Sequence, residues 1–265
     1  DHFGYSVAAA GDWNSDGTPD FVVGAPYANP SLIENAGKVY IYSGATGALL
    51  DTHSGVRVDE QRGWSVAGLG DINGDGNYDI IEGAPGASLG GSNAGAVYVM
   101  NGGTNVQIYH KSSIFAGDRF GHSVAATGDW GGVPGPDFMV GAIFGDSGSI
   151  PNVGKVTVFS GYDGAVLHTY YGDNSGDQFG YSLAPLGHIN GDGRLDIIVG
   201  APYANPDENF SAGLLYIFSG ESLLYQRQAY TLDRLGYSVA GGGEDVNGDG
   251  TADFMAGSPM SFLTG

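Results

Sequence analysis

Short runs in which almost every residue is apolar alternate along the whole chain with stretches of Gly, Asn, Asp and Pro. One kind of run reads "DFVVG", "DIIEG", "DFMVG", "DIIVG" and "DFMAG". A second reads "KVYIYSG", "AVYVMNG", "KVTVFSG" and "LLYIFSG", rich in β-branched and aromatic residues. Each is preceded or followed by weaker segments: small and β-compatible ("SVAAAG", "SVAGLG") before, and brief ("ALL" at 48–50, "AVL" at 165–167) after. No helical period runs through them, so the pattern predicts four short strands per unit. The second and third strands are apolar at successive positions rather than alternate ones, which requires both sheet faces to be covered.

The units are copies of one another. Aligning on "FGYSV" places its glycine at Gly4, Gly63, Gly121, Gly180 and Gly236, separated by 59, 58, 59 and 56 residues. A second marker follows in register: "GAP" at 24–26, 83–85 and 200–202, "GAI" at 141–143 and "GSP" at 257–259. Fixed spacing of two markers is the signature of a repeat architecture. Four-stranded antiparallel units of about 58 residues, covered on both faces, predict an all-β fold, a β-propeller. A β-solenoid uses shorter repeats. The repeats run 1–59, 60–117, 118–176, 177–233 and 234–265, the last ending at Gly265 after its second strand, within a single expected domain. Five blades are favoured, with a fragment of a seven-bladed ring as the alternative.

Between the first and second strands lies a short acidic loop. Copy one offers Asp12, Asn14, Asp16, Thr18 and Asp20; copy two Asp71, Asn73, Asp75, Asn77 and Asp79; copy five Asp245, Asn247, Asp249, Thr251 and Asp253. Calcium takes six to eight oxygens, and a tight loop presents them best from alternate positions. Positions 1, 3 and 5 supply side-chain oxygens, Gly at 6 makes the turn, position 7 supplies its carbonyl, and Asp at 9 closes the shell. Three carboxylates in nine residues repel one another without a cation, so the expectation is three calcium sites rather than three Asx-rich turns.

The other two copies depart from this. "DWGGVPGPD" at 129–137 keeps Asp129 and Asp137 but has Gly131 and Val133 at the inner ligand positions, and is expected to hold no metal. "HINGDGRLD" at 188–196 keeps Asn190, Asp192, Arg194 (as a carbonyl) and Asp196 but opens with His188. Imidazole is a poor ligand for a hard cation, so a fourth, weakened calcium site is expected there. Asp71 to Glu82 also fits an EF-hand count, but the equivalents of Glu82 are Val23, Val140, Val199 and Ala256. That column is a strand position, so Glu82 is no ligand; it either faces a central channel or pairs with a cation.

Composition narrows the partners. Nine Lys and Arg against 29 Asp and Glu give a net charge of −20, which repels nucleic-acid phosphate and anionic lipid and suits cations or basic partners. Neither nucleic-acid binding nor direct membrane insertion is expected. With no cysteine there is no disulfide framework, thiolate site or cysteine nucleophile. The six histidines (His2, His53, His110, His122, His168, His188) form no catalytic motif, and His122 stands in a Tyr/Trp column, so no enzymatic activity is expected.

The FG pair, the D-x-N-x-D-G-x-x-D loop and the GAP tripeptide, recurring in that order, resemble the FG-GAP repeats of the integrin α-subunit β-propeller headpiece, over essentially all 265 residues. The resemblance implies calcium between strands 1 and 2 and a ligand surface on the opposite face. It implies an extracellular, secreted or cell-surface module for adhesion or protein or glycan binding, through loops 27–37, 53–63, 86–95, 143–154 and 203–213. The alternative is a scaffold or assembly subunit that meets neighbouring chains or domains. The departures are the number of repeats, the absence of an inserted domain and the lack of cysteine, which fits a prokaryotic surface protein. The repeated "YANP" at 27–30 and 203–206 reads as a shared turn, and Asn209 heads a glycosylation sequon.

Overall fold

The computed structural model describes residues 1–131, 135–206, 210–241 and 245–261. Val133, Asn209 at the head of the sequon, and Gly265 lie outside the described residues.

Each repeat forms one antiparallel sheet with its strands in chain order. The first holds β1 (Ser6–Gly11), β2 (Asp20–Ala25), β3 (Lys38–Tyr42) and β4 (Leu49–Ser54). The second holds β5 (Ser65–Gly70), β6 (Asp79–Ala84), β7 (Ala96–Met100) and β8 (Gln107–Ser112). The third holds β9 (Phe120–Gly128), β10 (Asp137–Ala142), β11 (Lys155–Phe159) and β12 (Val166–Tyr171). The fourth holds β13 (Ser182–Gly187), β14 (Asp196–Ala201), β15 (Leu214–Ser219) and β16 (Ser222–Gln228). Among the described residues the fifth pairs β17 (Ser238–Ala240) with β18 (Met255–Gly257). First strands pack on one another from repeat to repeat, β1 on β5, β5 on β9, β9 on β13 and β13 on β17, so they form the inner edge of a β-propeller.

The unbroken apolar runs are explained by the two faces of each strand. Ile80 packs into a cluster with Val22 and Ile41 of the first blade, while its neighbour Ile81 packs with Phe138 and Val140 of the third. Met139 and Phe138, and Ile197 and Ile198, divide between successive clusters in the same way. Every interior sheet is thus shared by two cores, and each fully buried side chain contributes roughly 1.5–3 kcal/mol.

The two sequence markers form the joint between blades. The glycine of the FG pair has φ of +84° to +88° in all five copies, a left-handed backbone that favours Gly. Its N–H donates to the GAP glycine of its own blade, as in Gly63 N to Gly83 O at 3.0 Å. Its carbonyl accepts from the serine hydroxyl of the preceding blade: Ser6 to Gly63 at 2.9 Å, Ser65 to Gly121 at 2.9 Å, Ser123 to Gly180 at 2.6 Å and Ser182 to Gly236 at 2.8 Å. That carbonyl comes so close that a Cβ on the GAP glycines Gly24, Gly83, Gly141 or Gly200 would meet it at 2.0–2.3 Å.

The fourth strands are longer than the brief segments expected. β4 runs through His53 and Ser54, assigned to the following loop from sequence, and β8, β12 and β16 extend similarly. These outer strands are polar at many positions because solvent meets much of their surface, so the apolar signal that reveals the inner strands is weak in them.

Candidate functional site

The loops between first and second strands fold on their own amides. In copy one, the Asp16 N–H donates to both Asp12 Oδ1 (2.9 Å) and Asn14 Oδ1 (3.0 Å). Gly17 N–H donates to Asp12 Oδ2 (2.9 Å), Thr18 N–H to Asp16 Oδ1 (2.9 Å), and Asn14 Nδ2 to Asp16 Oδ2 (3.0 Å). Asp71, Asn73, Asp75 and Asn77 repeat this network, as do Asp245, Asn247, Asp249 and Thr251. Positions 1, 3 and 5 are therefore drawn to one point of the loop. Among the described residues, however, no three His, Asp or Glu side chains form a ready cation cage.

The ninth position also holds the loop to the sheet. Asp20 is buried, and its Oδ2 accepts from Trp13 N (2.9 Å) while Oδ1 accepts from Gly44 N (3.0 Å) in the turn after β3. Asp79 does the same with Ile72 (3.0 Å) and Gly102 (3.1 Å), and Asp137 with Trp130 (2.7 Å) and Gly161 (2.9 Å). Asp253 holds Val246 N (2.9 Å) and Asn247 N (3.1 Å). Copy three, without inner ligands, thus keeps its ninth Asp because that carboxylate clips the loop to the sheet. Burial pushes Asp79 up to about 6, against its two N–H donors.

Copy four is closed in another way. His188 Nδ1 lies 2.5 Å from the Arg194 carbonyl and donates to it, so the imidazole occupies the oxygen expected as the seventh ligand. Asn190 and Asp192 keep the usual bonds, and Ser219 Oγ adds one to Asp192 Oδ2 at 2.8 Å. Asp196 Oδ2 accepts from Ile189 N at 2.6 Å, but its buried Oδ1 has no partner, because Gly220 N turns to the Leu195 carbonyl.

The donor chemistry fits a hard cation. The donors are oxygens, each carboxylate oxygen that accepts one N–H keeps a second lone pair, and Asp196 Oδ1 is an orphaned buried acceptor. Among the described residues no Lys, Arg or His is ion-paired with the acidic loops of copies one, two and five. Hydrogen bonds hold Asp75 (from Asn101 first), Asp192 (from the Arg194 N–H first) and Asp249 (from the Thr251 N–H first) below the usual carboxylate range.

At the opposite end, where the second-to-third and fourth-to-first connections lie, the residue after each FG glycine is an aromatic ring. Tyr5 and Trp64 are 4.7 Å apart between centroids, Trp64 and His122 5.6 Å, His122 and Tyr181 4.8 Å, and Tyr181 and Tyr237 4.9 Å. One ring per blade thus makes a continuous arc, flanked by Tyr27 and Tyr203. Burial first, then Tyr27 and Tyr237, raise the Tyr5 hydroxyl to about 12. Tyr5 and Tyr237 are 46% and 40% exposed, so the ends of the arc are open to solvent. His122, its packed centre, is driven down to about 4 by burial and then Arg119. The "YANP" copies are turns, with Asn29 Oδ1 accepting from Asn35 N (2.7 Å) and Asn205 Oδ1 from Ser211 N (2.5 Å). Asp146 Oδ1 does so with Asn152 N (2.8 Å) in the third blade.

Glu82 is fully buried between the first two blades, paired with a cation rather than facing a channel. Arg62 Nε donates to its Oε2 at 2.6 Å and His53 Nδ1 bonds Oε1. His53 Nε2 reaches Asn105 Oδ1 at 2.5 Å, and Arg62 lies over the Tyr98 ring at 4.3 Å. Tyr98 donates to buried Glu60 (2.5 Å), which also caps Val56 N and Arg57 N. Arg62 stands where other repeats have Phe3, Phe120, Phe179 and Leu235. Both the arc and this triad were visible as columns of the repeat alignment, but only three-dimensional contact connects one column to the next.

An all-β propeller whose blades are joined through FG and GAP glycines is an FG-GAP repeat protein, and the FG-GAP repeat family model matches residues 3–42, 62–100 and 179–218. The chain is 34% identical to integrin alpha-V of Gallus gallus over 220 residues, 76% of this chain and 20% of that protein. It is 37% identical to integrin alpha-7 of Homo sapiens over 150 residues, 53% of this chain and 12% of that protein. It is 32% identical to integrin alpha-5 of Xenopus laevis over 216 residues, again 76% and 20%. The chain belongs to the integrin-like FG-GAP repeat proteins, and spans about a fifth or less of the length of these curated relatives.

Proposed function

We propose that this propeller is an extracellular adhesion-type binding module that takes a protein partner on the face bearing the aromatic arc. The observation that carries the reading is the arc itself, one ring from every repeat, held by backbone glycines and partly open to solvent. Aromatic rings are enriched where proteins bind because they offer large contact area at small entropy cost. The surrounding loops differ between blades while the framework repeats, which separates recognition from support. Panning a displayed peptide library against the chain, and against a Trp64→Ala/Tyr181→Ala variant, tests this. Selected peptides should lose about tenfold or more in affinity for the variant, at least about 1.4 kcal/mol. Peptides indifferent to the variant would refute the face.

Calcium is proposed as a structural ion at Asp12–Asp20, Asp71–Asp79 and Asp245–Asp253. Asp12, Asn14 and Asp16, the Thr18 carbonyl and their counterparts would hold it, with Asp20, Asp79 and Asp253 anchoring the loops. Bound calcium would neutralise the crowded carboxylates and tie each loop shut. The fourth loop is proposed as weakest, because His188 already fills the Arg194 carbonyl. Thermal unfolding with calcium against a chelator tests the ion's role; an unchanged melting temperature overturns it.

A further inference from the structure

Asn-Gly pairs occur at 73–74, 101–102, 190–191 and 247–248. Each is a weak point of the chain itself, because glycine has no Cβ to keep its nitrogen away from the amide carbon of the asparagine before it. At three of the four the fold holds that nitrogen. Gly74 N–H donates to Asp71 Oδ1 at 2.7 Å, Gly248 N–H to Asp245 Oδ1 at 2.7 Å, and Gly102 N–H to Asp79 Oδ1 at 3.1 Å. The Gly191 N–H meets no acceptor among the described residues, since His188 stands where a carboxylate would and its ring is turned to the Arg194 carbonyl.

Around the asparagine the three acidic-loop copies are otherwise alike. The chain reads "INGDG" at 72–76 and 189–193 and "VNGDG" at 246–250. The glycine after each asparagine has φ of +76°, +71° and +79° in turn. In each copy the asparagine Oδ1 accepts from the N–H two residues on, and Nδ2 donates to that residue's carboxylate. Asn73, Asn190 and Asn247 are all exposed. What differs is the grip on the glycine nitrogen, which has to give up its proton to attack. Where a carboxylate holds the N–H, that bond is broken first, and the negative charge then developing on nitrogen faces another negative charge.

We propose that Asn190 and Gly191 form a site of spontaneous modification, at which the chain closes a succinimide on itself and water opens it to aspartate or isoaspartate. The Gly191 nitrogen bonds Asn190 Cγ, the Cγ–Nδ2 bond breaks, and the Gly191 proton leaves with that nitrogen as ammonia. Water then cleaves one of the two ring C–N bonds. Cleavage at Cγ leaves aspartate; cleavage at the backbone carbonyl leaves isoaspartate, with one more carbon in the main chain. Either product adds a negative charge to the fourth loop. Isoaspartate also draws into the main chain the oxygen that holds the Asp192 N–H. The site depends neither on calcium in the loops nor on a partner at the aromatic face.

Peptide mapping by mass spectrometry, on the chain incubated at neutral pH with a chelator, follows each Asn-Gly pair, and isoaspartyl methyltransferase labelling reads the isoaspartate. In the folded chain Asn190 should convert about tenfold or more faster than Asn73 and Asn247, the factor that one hydrogen bond to a charged acceptor supplies. In urea, where the loops are lost, the three should agree within about threefold. His188→Asp should slow Asn190 about tenfold, to the level of its counterparts, and Asp71→His should speed Asn73 by a similar factor. Three results would overturn the proposal: equal rates at the three positions of the folded chain, a His188→Asp variant that melts like the parent and converts Asn190 as fast, or an Asn190 that stays intact while the unfolded chain converts.

Discussion

The Glu82 triad places two charged groups, Arg62 and Glu82, where the other repeats have hydrocarbon, with His53 beside them, and its removal can be sized from the structure. Glu82 is fully buried, and the side chains of His53 and Arg62 are 4% and 11% exposed. Glu82→Ala leaves the Arg62 guanidinium buried and uncompensated, which costs about 3–5 kcal/mol. Arg62→Phe alone strips Glu82 of its strongest partner, at a similar cost of about 3 kcal/mol. The double change Arg62→Phe/Glu82→Val restores the pair found elsewhere, where Phe120 and Val140 share one apolar cluster. It should lie within about 1 kcal/mol of the parent, since apolar replacement of a buried ion pair is often neutral. The four proteins form a double-mutant cycle, read by urea unfolding at neutral pH. Single variants that each cost under about 1 kcal/mol, or a double variant whose loss is the sum of the two, would refute the reasoning.

The same triad sets a pH signature. Burial opposes a charge on His53, but the adjacent Glu82 carboxylate overrides it and raises its pKa above 6.5. That contribution is fully present below 6.5 and is lost as pH rises through the higher folded value. Burial likewise opposes a charge on Glu82, but Arg62 and then His53 hold its pKa below 4.5. That contribution is present above 4.5 and is lost as pH falls through the lower folded value. Stability measured against pH should therefore be greatest between these limits, and the double variant should flatten both flanks.

Three other outcomes follow from the loops and joints. Asp137→Ala should destabilise by about 3 kcal/mol, with or without calcium, because it frees N–H groups that a buried carboxylate holds; a loss seen only with calcium would make the ninth Asp a ligand alone. His188→Asp should free the Arg194 carbonyl and tighten the weakest calcium site about tenfold or more in a competition titration with a chelating dye; an unchanged affinity would show that His188 is not what weakens the loop. Gly83→Ala should cost more than about 3 kcal/mol in denaturant unfolding, because its Cβ would meet the Gly121 carbonyl at 2.1 Å; a variant as stable as the parent would mean that the blades can move apart.

Period and residue type were enough to read the repeat, the inner strands and the acidic loops, because each is a local consequence of chain chemistry. An unbroken apolar run such as "DIIVG" demands cover on both faces, and alternating Asp and Asn with a glycine turn can close only around their own amides or a cation. What lies across a junction was not legible. Glu82 was an anomaly in its column until the fold brought Arg62 and His53 to it, and the outer strands run further than their apolar residues indicate because polar residues face solvent along them. The ninth Asp read as a metal ligand, and only the turn after the third strand revealed its partners in Gly44, Gly102 and Gly161. The five aromatic residues became a surface once the repeats curled about one axis. The physical reason is the same in each case: a pairing between residues about 20 to 60 positions apart leaves no period in the chain, and it is the packing of one blade on the next that decides which side chains meet.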